Sequence, residues 1–303
     1  MVVPPLTLAS LALATLVIAA LPFLLYRQLR RPLALRPRDA IAGVAVFALF
    51  AMVIERALND YLLRGNAATA AFLSQPLAFV VYGALVAGVC EEVGRFFGMR
   101  LLMKRAATRP VVRKKSSVEA PTGVAASAGA NAAASPSADA DADTRTAALR
   151  ADDGAALSYG LGHGGAEAWM VGVLVQFQWL VFAVLENRGQ LGDYLGNLPA
   201  EAVMRVHLIL ASLTPQLAGI FALERAAALV FQIGLSVLMW RGVRAGSRAI
   251  LPLAIVVHAL IDTPAAMTQA RLLPLAAVDT IYAVAAVFVA GLLIRSYRRP
   301  AAA

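Results

Sequence analysis

The chain has 303 residues, of which 60% are hydrophobic, and it carries a formal net charge of +9 at pH 7. Its mean hydropathy of +0.72 excludes a soluble globular domain and indicates an integral membrane protein. The basic excess does not indicate nucleic-acid binding, because 20 of the 27 Lys and Arg residues lie in short segments between or beside apolar runs. The single cysteine, Cys90, excludes an intramolecular disulfide and any multi-cysteine metal site.

Seven apolar runs long enough to cross a bilayer follow one another along the chain. They lie at residues 2–26, 40–58, 70–99, 154–186, 217–240, 249–269 and 275–297. The sequence therefore predicts an all-α, polytopic membrane protein, a helical bundle of about seven to eight transmembrane spans, with seven as the central estimate. An amphipathic segment at residues 201–216 is predicted to lie at the outer interface.

A polar stretch separates the third run from the fourth. Residues 106–153 are rich in Ala, Ser, Thr, Asp and Gly and contain almost no large apolar side chains. Such a segment cannot bury enough apolar surface to order itself, so it predicts a disordered cytoplasmic linker. The chain thus divides into residues 1–105 with three spans, the linker, and residues 154–303 with the remaining spans.

The distribution of Lys and Arg predicts the orientation of the bundle. With the N-terminus outside, 20 basic residues fall in cytoplasmic segments and only four, Arg64, Arg188, Arg205 and Arg271, fall outside. Because basic residues accumulate on the cytoplasmic side, we expect a protein of the cell inner (plasma) membrane with its N-terminus out and its C-terminus cytoplasmic.

Three spans place ionisable side chains at one depth. The distance to the nearest cytoplasmic boundary is nine residues for Glu91 and ten residues for both His163 and His258. At a rise of about 1.5 Å per residue, all three lie roughly 13 to 15 Å from the cytoplasmic side. Since lipid cannot solvate such groups, we expect the three spans to share one polar site.

Polar partners on the same helical faces enlarge this predicted site. Each of the three residues is followed, four positions later, by a polar residue on its own face. These partners are Arg95, Glu167 and Asp262. Glu224 and Arg225 of the fifth run are predicted to form a separate cluster nearer the outer side, whereas Gln232 is within reach of the central layer.

The paired carboxylates Glu91 and Glu92 favour hydrolytic chemistry. If Arg95 pairs with one of them, the other can take a proton from water, while a histidine shares the proton or orients the water. The second histidine, with its acidic partner Asp262, can polarise a carbonyl oxygen as negative charge develops on it. Helical geometry pairs Arg95 best with Glu91, which would leave Glu92 as the base.

The same residues are also compatible with other functions. Two histidines and a carboxylate, His163, His258 and Glu91, could instead bind zinc, although no His-Glu-x-x-His pair lies on one helix. A transporter or channel, or a non-catalytic membrane scaffold, could also use a buried polar layer. The glycines at 160, 162, 164 and 165 would let the helix open or another backbone approach, or they serve close helix packing.

Four motifs together resemble the YhfC family of intramembrane proteases, which is related to the CAAX-protease and bacteriocin-processing (CPBP) group. The motifs are Glu91-Glu92-x-x-Arg95, Gly160-x-Gly162-His163-Gly164-x-x-Glu167, Glu224-Arg225 followed by Phe231-Gln232-Ile233-Gly234-Leu235-Ser236, and His258-x-x-x-Asp262. The resemblance covers nearly all of the chain except the linker and the first span.

The resemblance implies an intramembrane endopeptidase that needs no cofactor, with zinc as the alternative. Its substrate would be a membrane protein or a lipidated peptide, and its surroundings membrane lipid. In the wider group the glutamate pair activates water with the first histidine, which here is His163, and the last histidine and its acidic partner form the oxyanion pocket. The wider group places its arginine one residue later than Arg95. Alignment on the glutamates favours Glu91 as the base, and we adopt that assignment.

Overall fold

The computed structural model describes residues 2–107 and 138–297, and it contains only helices, turns and connecting segments within those ranges. Seven helices are long and apolar enough to cross a membrane, which confirms the predicted all-α, seven-span architecture. In chain order the spans are Pro5–Leu29, Pro37–Gly65, Pro76–Arg105, Asp153–Asn187, Pro215–Arg244, Ile250–Gln269 and Leu275–Tyr297.

Proline residues set several of these boundaries. The third span begins at Pro76, because a proline at the first helical turn lacks only an N–H that would be unpaired there. The predicted run from residue 70 therefore divides into this span and a short helix, Ala67–Leu73, which the Asn66 side chain caps. Likewise, the predicted amphipathic segment ends early, as helix Ala200–Ser212, before Pro215 begins the fifth span.

The second and fourth spans are interrupted by π-helical turns. The second contains Phe50–Glu55 and Tyr61–Gly65, and the fourth contains Ala168–Val173. These turns continue the helix with a wider backbone ring, so the second span extends past its predicted end at residue 58. Residues 108–137 of the predicted linker lie outside the described part of the chain, and helix Ala138–Glu167 includes its last residues.

The fifth span is the centre of the bundle. It packs against the first, third, fourth, sixth and seventh spans, while the third span packs along the sixth. The second span packs against the fourth. On the outside of the bundle, large apolar side chains are widely exposed, including Ile41, Leu77, Leu260 and Val287. Such a surface suits lipid and would be unstable in water.

The second and fourth spans approach each other so closely that their backbones touch. A Cβ built at Gly162 would overlap the carbonyl oxygen of Ala40, and one built at Gly43 would overlap the carbonyl oxygen of Tyr159. The fifth span is almost as close, since a Cβ at Gly160 would lie 2.8 Å from the Cα of Ile233. The glycine-rich stretch therefore serves close helix packing, and the helix stays closed through it.

A buried carboxylate ties three spans together at one end of the bundle. Asp153 begins the fourth span and is 1% exposed. Arg241 of the fifth span donates to its Oδ2 from Nε at 3.0 Å and from Nη2 at 2.7 Å, and the Tyr297 hydroxyl of the seventh span donates at 2.7 Å. Three donors on one carboxylate oxygen fix the relative height of these spans.

We predict that Gly162→Ala strongly destabilises the bundle. The new methyl group has no room beside Ala40, so the two spans must separate, at a cost of roughly 1–3 kcal/mol or more. Gly219→Ala is the matched control, because a Cβ there meets nothing within 4 Å. Thermal unfolding of the detergent-solubilised protein measures both, and equal midpoints for the two variants would contradict the packing described here.

Candidate functional site

The third span supplies three ionisable side chains to the interior of the bundle. Glu91 is 6% exposed, and Glu92 and Arg95 are fully buried. The spacings of three and four residues bring both carboxylates to the side of the helix on which Arg95 lies. Because charges in such a place need partners, the neighbouring spans determine what each carboxylate does.

Glu91 is bound from the fourth and fifth spans. Its Oε2 lies 2.9 Å from Nε2 of His163, and it accepts a hydrogen bond from Nε2 of Gln232 at 3.0 Å. The imidazole of His163 stacks on Tyr159 with 5.9 Å between ring centroids and meets the edge of Phe47 at 5.2 Å. The predicted meeting of Glu91 and His163 is thus a direct contact.

Arg95 lies closer to Glu92 than to Glu91, which reverses the expected preference. Its Nε is 3.1 Å from Oε2 of Glu92, whereas its Nη2 is 3.9 Å from Oε2 of Glu91. The reason lies in the fifth span, where Nη1 donates to the main-chain oxygen of Gln232 at 3.0 Å and to the Ser236 hydroxyl. With Nη1 held by these acceptors, Nε lies beside Glu92 in an ion pair that is not a hydrogen bond.

Glu92 and Asp262 lie on either side of the His258 imidazole. Nδ1 of His258 is 2.8 Å from Oε1 of Glu92, and Nε2 is 3.4 Å from Oδ2 of Asp262. His258 is 3% exposed, so the sixth span presents the ring to the interior of the bundle. The predicted pairing of His258 with Asp262 is therefore present, and Glu92 adds a shorter contact on the other ring nitrogen.

Glu167, one helical turn after His163, is hydrogen-bonded to the fifth span. It accepts hydrogen bonds from Nη1 of Arg225 at 3.2 Å and from Nε2 of Gln232 at 2.9 Å. The expectation that Glu224 and Arg225 form a separate cluster is wrong for Arg225, which reaches the central layer through Glu167. A count of residues along the fifth span could not anticipate this, because the long Arg side chain spans the difference in depth.

Gln232 makes more contacts in the site than the sequence predicted; the prediction was only that it lies within reach of the central layer. It contacts Glu91, Glu167 and Arg95, and it is 5% exposed. Gln232 and Ser236 are four residues apart, so they form a polar stripe on one face of the fifth span. That stripe is the signal from which both contacts to Arg95 could have been predicted.

A cavity of about 360 Å³ opens beside this network. Its wall includes Glu91, Gln232, His258 and Asp262, together with Glu167 and Arg225. From there it extends towards Leu63, Phe79 and Gln269. These residues lie near the ends of the second, third and sixth spans that are opposite the ends with the basic residues, which are predicted to be cytoplasmic. Glu92, Arg95 and His163 are fully buried behind the wall.

The side-chain arrangement does not fit a three-ligand zinc site. Among the described residues, no group of three His, Cys, Asp or Glu side chains could hold a metal ion. In the predicted set of His163, His258 and Glu91, Nε2 of His163 already contacts Glu91 and lies 3.5 Å from Nη2 of Arg95. A cation at that nitrogen would be repelled by the guanidinium.

Comparison with known proteins finds similarity at the level of a family. The model of a family described as "YhfC intramembrane metalloprotease" matches residues 17–110 and 145–283. The chain is also 29% identical over 252 residues to the uncharacterized membrane protein YhfC of Bacillus subtilis (strain 168), with 80% of this chain and 78% of that protein covered. No solved structure matches the chain.

We predict that Arg95→Leu strongly destabilises the folded bundle. Removal of the guanidinium leaves Glu92 buried without its cation, which typically costs about 3–5 kcal/mol. The double variant Arg95→Leu/Glu92→Gln recovers part of this loss, because the remaining amide carries no charge. Arg64→Leu is the control, since Arg64 forms an exposed pair with Asp60. Thermal midpoints in detergent report the result, and a wild-type midpoint for Arg95→Leu would refute the account of the network.

Proposed function

Because the chain belongs to the YhfC intramembrane metalloprotease family, we propose that it is an intramembrane endopeptidase whose reaction depends on Glu91, His163, His258 and Asp262. The substrate is a membrane protein or a lipidated peptide whose scissile bond lies in or near the bilayer. The protein works in the plasma membrane with its N-terminus outside and its C-terminus in the cytoplasm, as the distribution of basic residues favours.

One observation supports the choice of Glu91 as the base. Glu91 lies on the cavity wall, where water and a peptide bond can reach it, whereas Glu92 is fully buried between Arg95 and His258. A general base must lie within hydrogen-bond distance of the proton that it removes, directly or through one water. Glu92 has a different part, which is to hold His258 and to balance the charge of Arg95.

The proposed reaction begins when Glu91 takes a proton from a water molecule in the cavity. The hydroxide attacks the carbonyl carbon, and the carbonyl oxygen takes the negative charge. His258 lies on the cavity wall, with Glu92 holding its Nδ1 at 2.8 Å. Its Nε2, which is 3.4 Å from Oδ2 of Asp262, is the nitrogen that donates a hydrogen bond to the carbonyl oxygen, in place of that longer contact. Glu91 then gives its proton to the departing amine nitrogen, so that water is added across the bond and the site is restored.

His163 orients the base. With Nε2 bound to Glu91, the ring presents a donor to the carboxylate, and Nδ1 has no hydrogen-bond partner among the described residues. The stacking on Tyr159 and the edge of Phe47 prevent the ring from turning away. A base held in one orientation loses little entropy when the reaction occurs.

We expect Glu91→Gln, His163→Ala and His258→Ala each to reduce cleavage by about 10²–10⁴-fold, the usual contribution of a positioned acid or base. The assay uses the purified protein in detergent or liposomes with a quenched-fluorescent transmembrane peptide. His207→Ala is the control, because His207 lies at 3.3 Å from Glu186 and outside the cavity wall. If all three site variants cleave as fast as this control, the proposed site is wrong.

A second experiment tests the catalytic type. Since no step of the proposed reaction passes through a metal, we expect a strong chelator to leave the cleavage rate within about twofold of the untreated protein. Loss of activity with the chelator, restored by added zinc, would overturn the glutamate-based chemistry. It would leave the assignment as a protease intact, because the family is described as metalloproteases.

A further inference from the structure

The amide of Gln232 can take only one orientation in this site. Its Oε1 accepts from Nη2 of Arg95, and its Nε2 donates both to Oε2 of Glu91 and to Oε2 of Glu167. A guanidinium has only donors and an ionised carboxylate has only acceptors. Rotation of the amide by 180° would therefore oppose like groups at all three contacts, which resolves the usual ambiguity between amide nitrogen and oxygen.

This fixed amide determines which oxygen of Glu91 faces the cavity. The described contacts of the Glu91 carboxylate all fall on Oε2, from His163 at 2.9 Å, Gln232 at 3.0 Å and Arg95 at 3.9 Å. Glu91 also lines the cavity wall. With Oε2 directed at these three groups, Oε1 is the oxygen left for a water molecule in the cavity.

We infer that Gln232 is a positioning residue for the proposed hydrolysis: it holds Oε2 of Glu91 in the buried network so that Oε1 meets the water. The inference rests on the proposed function and adds to it a residue of the fifth span. His163 approaches the same oxygen from the fourth span, so the two donors hold the carboxylate from two separate helices. Through its second donor hydrogen, Gln232 also holds Glu167, which balances Arg225 at the cavity wall.

The experiment compares three variants of the full-length protein. Gln232→Met keeps the length and volume of the side chain and removes the three hydrogen bonds of the side-chain amide, while the main-chain oxygen still accepts from Arg95. Gln232→Glu keeps the shape and the acceptor for Arg95 and places a carboxylate against Glu91 and Glu167. Gln176→Met is the matched control, because Gln176 is equally buried at 5% but lies on the fourth span outside the site.

We expect kcat for the transmembrane peptide to fall about 100-fold in Gln232→Met, the size of effect that a misplaced catalytic group produces. KM stays within about threefold of wild type, because Gln232→Met leaves the other residues of the cavity wall in place. Gln232→Glu falls further than Gln232→Met, although it is closer in shape to glutamine. Gln176→Met stays within about threefold of wild type in both constants.

Rates are expressed per folded molecule, measured from the monodisperse fraction and the thermal midpoint of each variant. A role in stability alone would lower the midpoint and leave kcat of the folded fraction unchanged, and that result would overturn the inference. If Gln232→Met does not fold, Gln232→Asn replaces it in the experiment. The Asn side chain is one methylene shorter, so its amide cannot reach both carboxylates. A wild-type kcat in Gln232→Asn would also overturn the inference.

The outcome separates this inference from the proposed function. Wild-type kcat in Gln232→Met together with an inactive Glu91→Gln would remove the positioning role and leave Glu91 as the base. Wild-type activity in Glu91→Gln would remove the proposed site itself. The predicted pattern is loss of kcat in both, with the larger loss in Glu91→Gln.

Discussion

The guanidinium of Arg95 is the group on which the arrangement of this bundle depends. It is fully buried in a protein whose surroundings are apolar, and an unpaired charge in such a place is costly. It forms an ion pair with Glu92 of its own helix and donates hydrogen bonds to Gln232 and Ser236 of the fifth span. The third and fifth spans must therefore come together at this level and in this rotation.

From that one requirement, two neighbouring glutamates acquire different surroundings. Glu92 is taken into the interior between Arg95 and His258, while Glu91 remains at the cavity wall with His163 beside it. Adjacent positions on a helix point about 100° apart, so a pair of this kind can serve two groups of partners without competing for them. A single turn of helix thus contributes both a charge that stabilises the bundle and a carboxylate that lines the cavity.

Much of the architecture could be predicted from the sequence, because hydropathy alone determines where helices must cross a bilayer. The common depth of Glu91, His163 and His258 in the membrane could also be predicted from the sequence, because depth along a straight helix is proportional to the number of residues. The partner of Arg95 did not follow, because Glu91 and Glu92 are both within reach along the helix and the acceptors of the fifth span decide between them. The contact of Arg225 with Glu167 could not be predicted either. The depth of a residue is counted along the backbone, and the long Arg side chain places its guanidinium at a different depth from its Cα.

The close contact of the second and fourth spans has a consequence for motion. Where Gly162 lies against Ala40 and Gly43 lies against Tyr159, backbone meets backbone with no side chain between them. Packed surfaces slide past one another by small rotamer changes, and this contact has no rotamers to change. At this level the two spans therefore cannot slide past each other by changes of rotamer, and the contact keeps His163 of the fourth span beside Phe47 of the second.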